Sequence, residues 1–285
     1  MLKTLASRLA QNMRNGASTA EPPSTKSDGG PPGAAQAPGN RPRLKIITAF
    51  DEGFADLGAI SAKSIAHYAV AHDYDYEIFR DVNVGRPPAW AKVHYLMAEL
   101  RAGKYDYLLW VDADACFVRL DQDILEEAAA EKDISLVNHM CLNGPLTDYP
   151  GLHVMSERPN TGVMLVKATN WSLAFLEKVW AQEDCIDSGW WENTAFHKLM
   201  GYMFELTGGK EKNRLVDEVM EHIGWLDCTW NSVPSPADGM FGMPVTIIAY
   251  NPVIVHFAGM KKERRLEEMQ ALVLHDVSLH RGGQL

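Results

Sequence analysis

An apolar run closes on two carboxylates one residue apart, in Tyr107-Leu-Leu-Trp-Val-Asp112-Ala-Asp114. The run is short and rich in β-formers, so it reads as a buried strand. Pleating sends alternate side chains to the same side, so Asp112 and Asp114 leave the strand end as neighbours. Two like charges so close stay ionised together when a divalent cation binds between them. Mg²⁺ and Mn²⁺ favour a few carboxylates plus phosphate oxygens. The pattern therefore points to a metal–nucleotide site at the carboxyl end of a strand, where open α/β sheets bind ligands. The plainer alternative is a pair of solvated turn carboxylates.

The elements around this strand alternate. Strands are predicted over 44–50 and 76–82, with a helix over 57–72 between them. A helix over 89–102 leads into the Asp-Ala-Asp strand, and a helix over 124–131 follows it. Strands over 134–139 and 162–167, helices over 170–181 and 190–200, and late strands over 245–250 and 253–257 complete the pattern, with a charged helical tail from Lys261. Such alternation implies a single α/β domain, a Rossmann-type, mostly parallel sheet with helices on both faces. No Gly-x-Gly-x-x-Gly follows the first strand and no Gly-Lys-[Ser/Thr] loop occurs, so a dinucleotide fold site or a P-loop is not supported. Any bound phosphates must be held by metal and side chains.

With 46% hydrophobic residues among 285, the chain can bury a substantial core. Its charge is uneven. The first 43 residues carry six Lys/Arg against Glu21 and Asp28, or +4, which leaves −14 for the remainder of an overall −10. A nucleic-acid binder would show a basic face, so nucleic acid is not an expected partner. Cys116, Cys141, Cys185 and Cys228 are widely spaced with no Cys-x-x-Cys, which points to buried free thiols rather than a zinc cluster or a disulfide scaffold.

Residues 17–43, rich in Ser, Thr, Gly, Pro and Ala, read as a flexible linker. Before them Leu2, Leu5, Leu9 and Met13 recur at helical spacing among Lys3, Arg8 and Arg14. Residues 1–16 are thus either an amphipathic helix with peripheral membrane contact, a transit peptide, or a frayed terminus. No run of about 18 apolar residues suggests a transmembrane helix. The division expected is 1–16, a linker over 17–43, a catalytic domain over 44–262 and a helical tail over 263–285.

Five features fall in order: Thr48-Ala49-Phe50-Asp51, Trp90-Ala91-Lys92, Arg158-Pro-Asn160-Thr161-Gly162, Trp190-Trp191-Glu192-Asn193-Thr194-Ala195 and His256-Phe257-Ala258-Gly259-Met260-Lys261. Together with Asp112 and Asp114 they resemble the galactosyl/xylosyl/mannosyl transferase family 34 of glycosyltransferases, which have the GT-A fold. The resemblance implies a retaining, metal-dependent enzyme. It would move a hexose or pentose from a nucleoside diphosphate sugar, UDP-linked ahead of GDP-linked, to a glycan or other hydroxyl acceptor. It further implies that Asp112, Asp114 and His256 hold the metal, Mn²⁺ ahead of Mg²⁺, and that Lys261, with Gly259, contacts the diphosphate. Asn160 would lie beside the donor sugar, with Glu192 and Asn193 near the anomeric carbon. Asn193 and Thr194 replace the family's Gln and Ser, and the family's membrane anchor is not evident. A soluble or peripheral protein is expected, in the cytoplasm or an organelle, the Golgi if family-typical.

Each residue also has a plainer reading. Asp51 either accepts from a base or ribose or caps the next helix. Lys92 either reaches the donor phosphates or is a solvated helical lysine. Glu192 either orients the acceptor and stabilises an oxocarbenium-like transition state or favours a helix macrodipole. Asn160 can be a turn residue, His256 a packed histidine, and Lys261 to Arg265 a solvated helix face. Two other classes remain open: a haloacid-dehalogenase-type phosphatase using Asp112 as nucleophile and Asp114 as acid/base, and a non-catalytic sugar-nucleotide-fold subunit.

Overall fold

Strand β1 (Leu44–Ala49) is apolar except for Lys45 and Thr48, and its residues feed two separate cores. Leu44 and Ile46 face one, Ile47 the other. The same alternation runs along β3 (Tyr107–Val111), where Leu108 and Trp110 pack on one side and Leu109 and Val111 on the opposite side. A strand buried on both faces needs apolar residues at every position, which is why these runs are continuous rather than alternating.

In the computed structural model, residues 41–145, 153–208, 210–234 and 251–281 are described. The remaining strands are β2 (Asp75–Phe79), β4 (Ala115–Phe117), β5 (Ile134–Pro145), β6 (His153–Lys167), β7 (Ile223–Trp225) and β8 (Ile254–His256). The helices described are α1 (Ala55–His72), α2 (Ala91–Ala102), α3 (Ile124–Glu127), α4 (Asn170–Trp180), α5 (Trp191–Met200), α6 (Phe204–Thr207), α7 (Asp217–Met220) and α8 (Lys262–Arg281). The main sheet has the order β2-β1-β3-β6-β5-β7. Five of its strands run one way, because only β6 is antiparallel to its neighbours β3 and β5. The mostly parallel sheet expected from the sequence is therefore present. Helices α2, α4 and α5 cover the face that carries Trp110 and Met164, and α1 covers the face that carries Leu109 and Leu165.

β5 and β6 extend well past the predicted 134–139 and 162–167. They form one long antiparallel ladder with a register shift between Leu136 and Val137. The extension carries polar residues such as Ser156, Glu157, Arg158 and Asn160, whose backbone groups the partner strand satisfies. The predicted segments 1–16 and 245–250, and residues 17–40 of the linker predicted over 17–43, lie outside the described residues. Cys116 and Cys185 are free and buried, and burial pushes the Cys116 thiol up to about 12. No helix among the described residues is long and apolar enough to cross a membrane.

A small second sheet matters more than its size suggests. β4 and β8 pair antiparallel, with Ala115 opposite His256. Under them lies a third core of Leu57, Cys116, Val255, Phe257, Met260 and Met269, which docks α8 against α1. Met269, on α8, is fully buried. Met269→Ala should therefore cost roughly 2–5 kcal/mol through lost burial and the cavity left behind. Urea unfolding would show it as a lower midpoint at unchanged slope, and an unchanged midpoint would mean that α8 is not part of the folded core.

Candidate metal and donor site

Three elements meet at the end of β3. The Asp112 N–H donates to the Gly162 carbonyl at 2.8 Å, carrying the β3–β6 ladder one residue past Val111. The chain then turns, Ala115 N–H bonding the Asp112 carbonyl at 2.9 Å, and enters β4. Because Ala115 pairs with His256, the turn sets Asp114 beside the histidine, and Phe257 N–H bonds the Asp114 carbonyl at 3.0 Å. One ligand atom from each of Asp112, Asp114 and His256 lies within 4.8 Å of the others. His256 Nε2 is 3.3 Å from Asp114 Oδ1 and 3.8 Å from Asp112 Oδ2.

The histidine's other nitrogen fixes its tautomer. His256 Nδ1 lies 2.9 Å from Asn231 Oδ1, and Asn231 Nδ2 donates to Asn160 Oδ1 at 3.0 Å. Asn231 is fully buried. With its amide nitrogen turned to Asn160, it offers only an oxygen to His256, so Nδ1 carries the proton and donates. Nε2 then faces the two carboxylates: protonated, it donates toward them, and deprotonated, its lone pair suits a cation between them. Asn160 Oδ1 also accepts from Gly162 N–H at 2.8 Å, so only its amide nitrogen is left for a ligand. Gly162 is required sterically: a Cβ there would lie 2.1 Å from His256 Cε1.

A buried charge cluster adjoins this group. Lys92 Nζ, 2% exposed, donates to Glu192 Oε1 at 2.7 Å and Thr161 Oγ1 at 3.2 Å, and lies 3.2 Å from Asp112 Oδ1. These three acceptors use all three ammonium donors. Burial alone would lower Lys92, but Asp112 and Glu192 outweigh it and raise its pKa, so it stays charged. Burial pushes Glu192 up, and the Asp112 charge adds to that while Lys92 opposes it. Glu192 Oε2 is buried with no protein partner. Trp110 Nε1 donates to Asp112 Oδ1 at 2.6 Å. At Asp114, burial works upward, but His256 and Arg265 prevail and hold the carboxyl at about 2. Arg265 Nη1 is 2.8 Å from Asp114 Oδ2.

Asn193 Oδ1 accepts from Thr161 N–H at 3.2 Å and so braces the strand that carries Asn160. His197, pushed down to about 4 mainly by burial, is neutral and bonds the Pro159 carbonyl through Nε2 at 2.7 Å. The two tryptophans part company. Trp190 is half-buried beneath the Arg158 guanidinium, 4.9 Å from its ring. Trp191 is 45% exposed and has φ +47°, a left-handed backbone unusual for an aromatic residue.

Asp112, Asp114, His256, Asn160, Lys92, Glu192 and Asn193 thus form one connected network. Asp51 stands apart: its Oδ1 caps the following turn through Phe54 N–H at 3.2 Å. Lys261 is exposed, and no hydrogen bond or ion pair joins it to the network among the described residues. Gly259, with φ +74°, makes the bend between β8 and α8. Two members were not foreseen. Asn231 lies in a short turn with no motif around it. Arg265 was read as part of a solvated face, although its spacing from Met269 and Leu272 already placed it on the apolar side of α8.

The sequence model of the nucleotide-diphospho-sugar transferases matches residues 90–271, a span that includes this whole network. No curated protein matches in sequence. Among solved structures, a glycosyltransferase involved in the glycosylation of the major capsid of PBCV-1 superposes with a TM-score of 0.54 at 15% identity, over 81% of this chain and 100% of that one. The glycosyltransferase GlyE of Streptococcus pneumoniae TIGR4 gives 0.46 at 10% identity, over 81% and 60%. The first of these shows a shared GT-A glycosyltransferase fold.

Gly162→Ala tests how tightly the site is packed. The added methyl should cost about 1–3 kcal/mol, as overpacking does, and should displace the His256 ring, shifting its NMR signals. Wild-type stability with unmoved ring signals would mean that the imidazole is not packed against Gly162.

Proposed function

The chain belongs to the nucleotide-diphospho-sugar transferase family and is a glycosyltransferase, and from that premise we propose that it moves a hexose or pentose from a UDP-sugar to a glycan hydroxyl with retention at the anomeric carbon. The observation that carries this reading is the convergence of Asp112, Asp114 and the Nε2 lone pair of His256. The donor set fits Mn²⁺, with Mg²⁺ second, because an imidazole favours the softer ion. When bound, the cation stabilises negative charge growing on the leaving diphosphate. The broader family match stops short of family 34; retention and UDP rest on the resemblance of the ordered motifs.

In the proposed reaction the bond from the anomeric carbon to the diphosphate oxygen breaks, and the acceptor oxygen bonds that carbon on the same face. The acceptor proton passes to the leaving phosphate oxygen. The free Oε2 of Glu192 accepts from a sugar hydroxyl and stabilises positive charge at the ring. Lys92 works through Asp112 and Glu192, since its own donors are used. Asn160 offers its amide nitrogen to the donor sugar, held in place by Asn193 and Asn231. Lys261 supplies a mobile cation for the diphosphate, and Asp51 lies at the end of β1 where a base would enter. Trp191 gives the acceptor an exposed aromatic face. The phosphatase reading is not favoured, because the matching family is one of sugar-nucleotide transferases.

A screen of sugar nucleotides should find release of UDP from one donor with Mn²⁺ and none with a chelator. Asp114→Ala should bring turnover to background in a chain that still folds but is less stable by up to about 3 kcal/mol, because Arg265 loses its buried partner. Full turnover in chelator, or in Asp114→Ala, would sink the metal assignment.

A further inference from the structure

Arg265 lies in the first turn of α8 and reaches the site from outside the β-sheets. Its Nη1 holds Asp114 Oδ2 at 2.8 Å, its Nη2 donates to the Met260 carbonyl at 2.6 Å, and its Cζ lies 5.8 Å from the Phe54 ring. The side chain is only 14% exposed. On the premise that Asp112, Asp114 and His256 hold a divalent cation, we propose that Arg265 is a positioning residue for that cation. It takes the outer oxygen of Asp114 and leaves Oδ1 turned toward His256 and Asp112.

Two effects of opposite sign compete. A guanidinium near a ligand carboxylate weakens the pull of that carboxylate on a cation. Against this, an unrestrained Asp114 would turn away from Asp112, because like charges repel, and the ligand set would have to be reassembled on binding. The second effect prevails because Arg265 is anchored independently of Asp114. A cation that merely filled the place of the metal would be held by the carboxylates alone and would leave when the metal arrived. Arg265 is fixed by the Met260 carbonyl and packed near Phe54, so it stays and orients the acid. The planar fork makes this possible, since one guanidinium bonds a carboxylate and a carbonyl at once.

The experiment measures Mn²⁺ binding directly, by the loss of the free-ion EPR signal, on the full chain with and without UDP. Arg265→Met should weaken Mn²⁺ binding by about 10–100-fold, the usual effect of losing a partner behind a metal ligand. Arg265→Lys should fall between, because an ammonium keeps the charge but gathers its donors on one atom, whereas the guanidinium reaches Asp114 and the Met260 carbonyl from two nitrogens. Unfolding midpoints are measured in parallel, and if Arg265→Met fails to fold, Arg265→Lys alone decides. Unchanged or tighter Mn²⁺ binding in the folded variants, with wild type binding normally, would overturn the role of Arg265 alone. No binding of Mn²⁺ by the wild type, even with UDP, would overturn the metal reading and this role with it.

Discussion

Holding two carboxylates and an imidazole nitrogen within 4.8 Å of one another is the constraint around which the site is arranged. Two unit charges about 4 Å apart repel by about 4 kcal/mol at an effective dielectric near 20. The protein spreads that cost over two cations on opposite sides. Lys92 sits behind Asp112 and Arg265 behind Asp114. Glu192 adds a third carboxylate, so with His256 neutral, as a metal ligand must be, three negative charges face two positive ones. The residual charge favours a divalent cation, and once such a cation is bound the centre turns positive, the sign that suits a diphosphate.

The topology explains why these groups can meet. β6 is the one strand that runs against the sheet, and it brings Asn160, Thr161 and Gly162 alongside the carboxyl end of β3. A parallel strand in that place would put its carboxyl end there instead. The two-stranded sheet of β4 and β8 then brings His256 in from about half the chain away. Close packing of the ring on Gly162 leaves one orientation for the imidazole, and Asn231 leaves one tautomer.

Much of this was legible in the sequence because it is local. Asp112 and Asp114 announce themselves at the end of an apolar run, and Glu192 with Asn193 opens a recognisable helix. Lys92 was readable as a helical lysine that either reaches the donor phosphates or is solvated. That it is buried, and bonded to three acceptors, follows from three strands and helices converging, which spacing along one helix does not encode. Asn231 gives no local signal at all, since its importance comes from bonds to residues 25 and 71 positions away. The ladder of β5 and β6 was underestimated because its outer half is polar, and hydrogen bonding to a partner strand leaves no mark on composition.

Arg265 shows how fold and chemistry become inseparable. α8 buries Met269 in the third core and, four residues earlier, delivers a guanidinium to Asp114. The helix start is further tied down by Lys262 on the Gly53 carbonyl. Asp112 and Asp114 therefore gain their full setting only after the last third of the chain has docked. Contacts so distant in sequence carry a closure entropy that the packing of α8 must offset. β3 is held by the main sheet, but two of the groups that face its acids, His256 and Arg265, come from the C-terminal segment, so the candidate cation site depends on the docking of that segment.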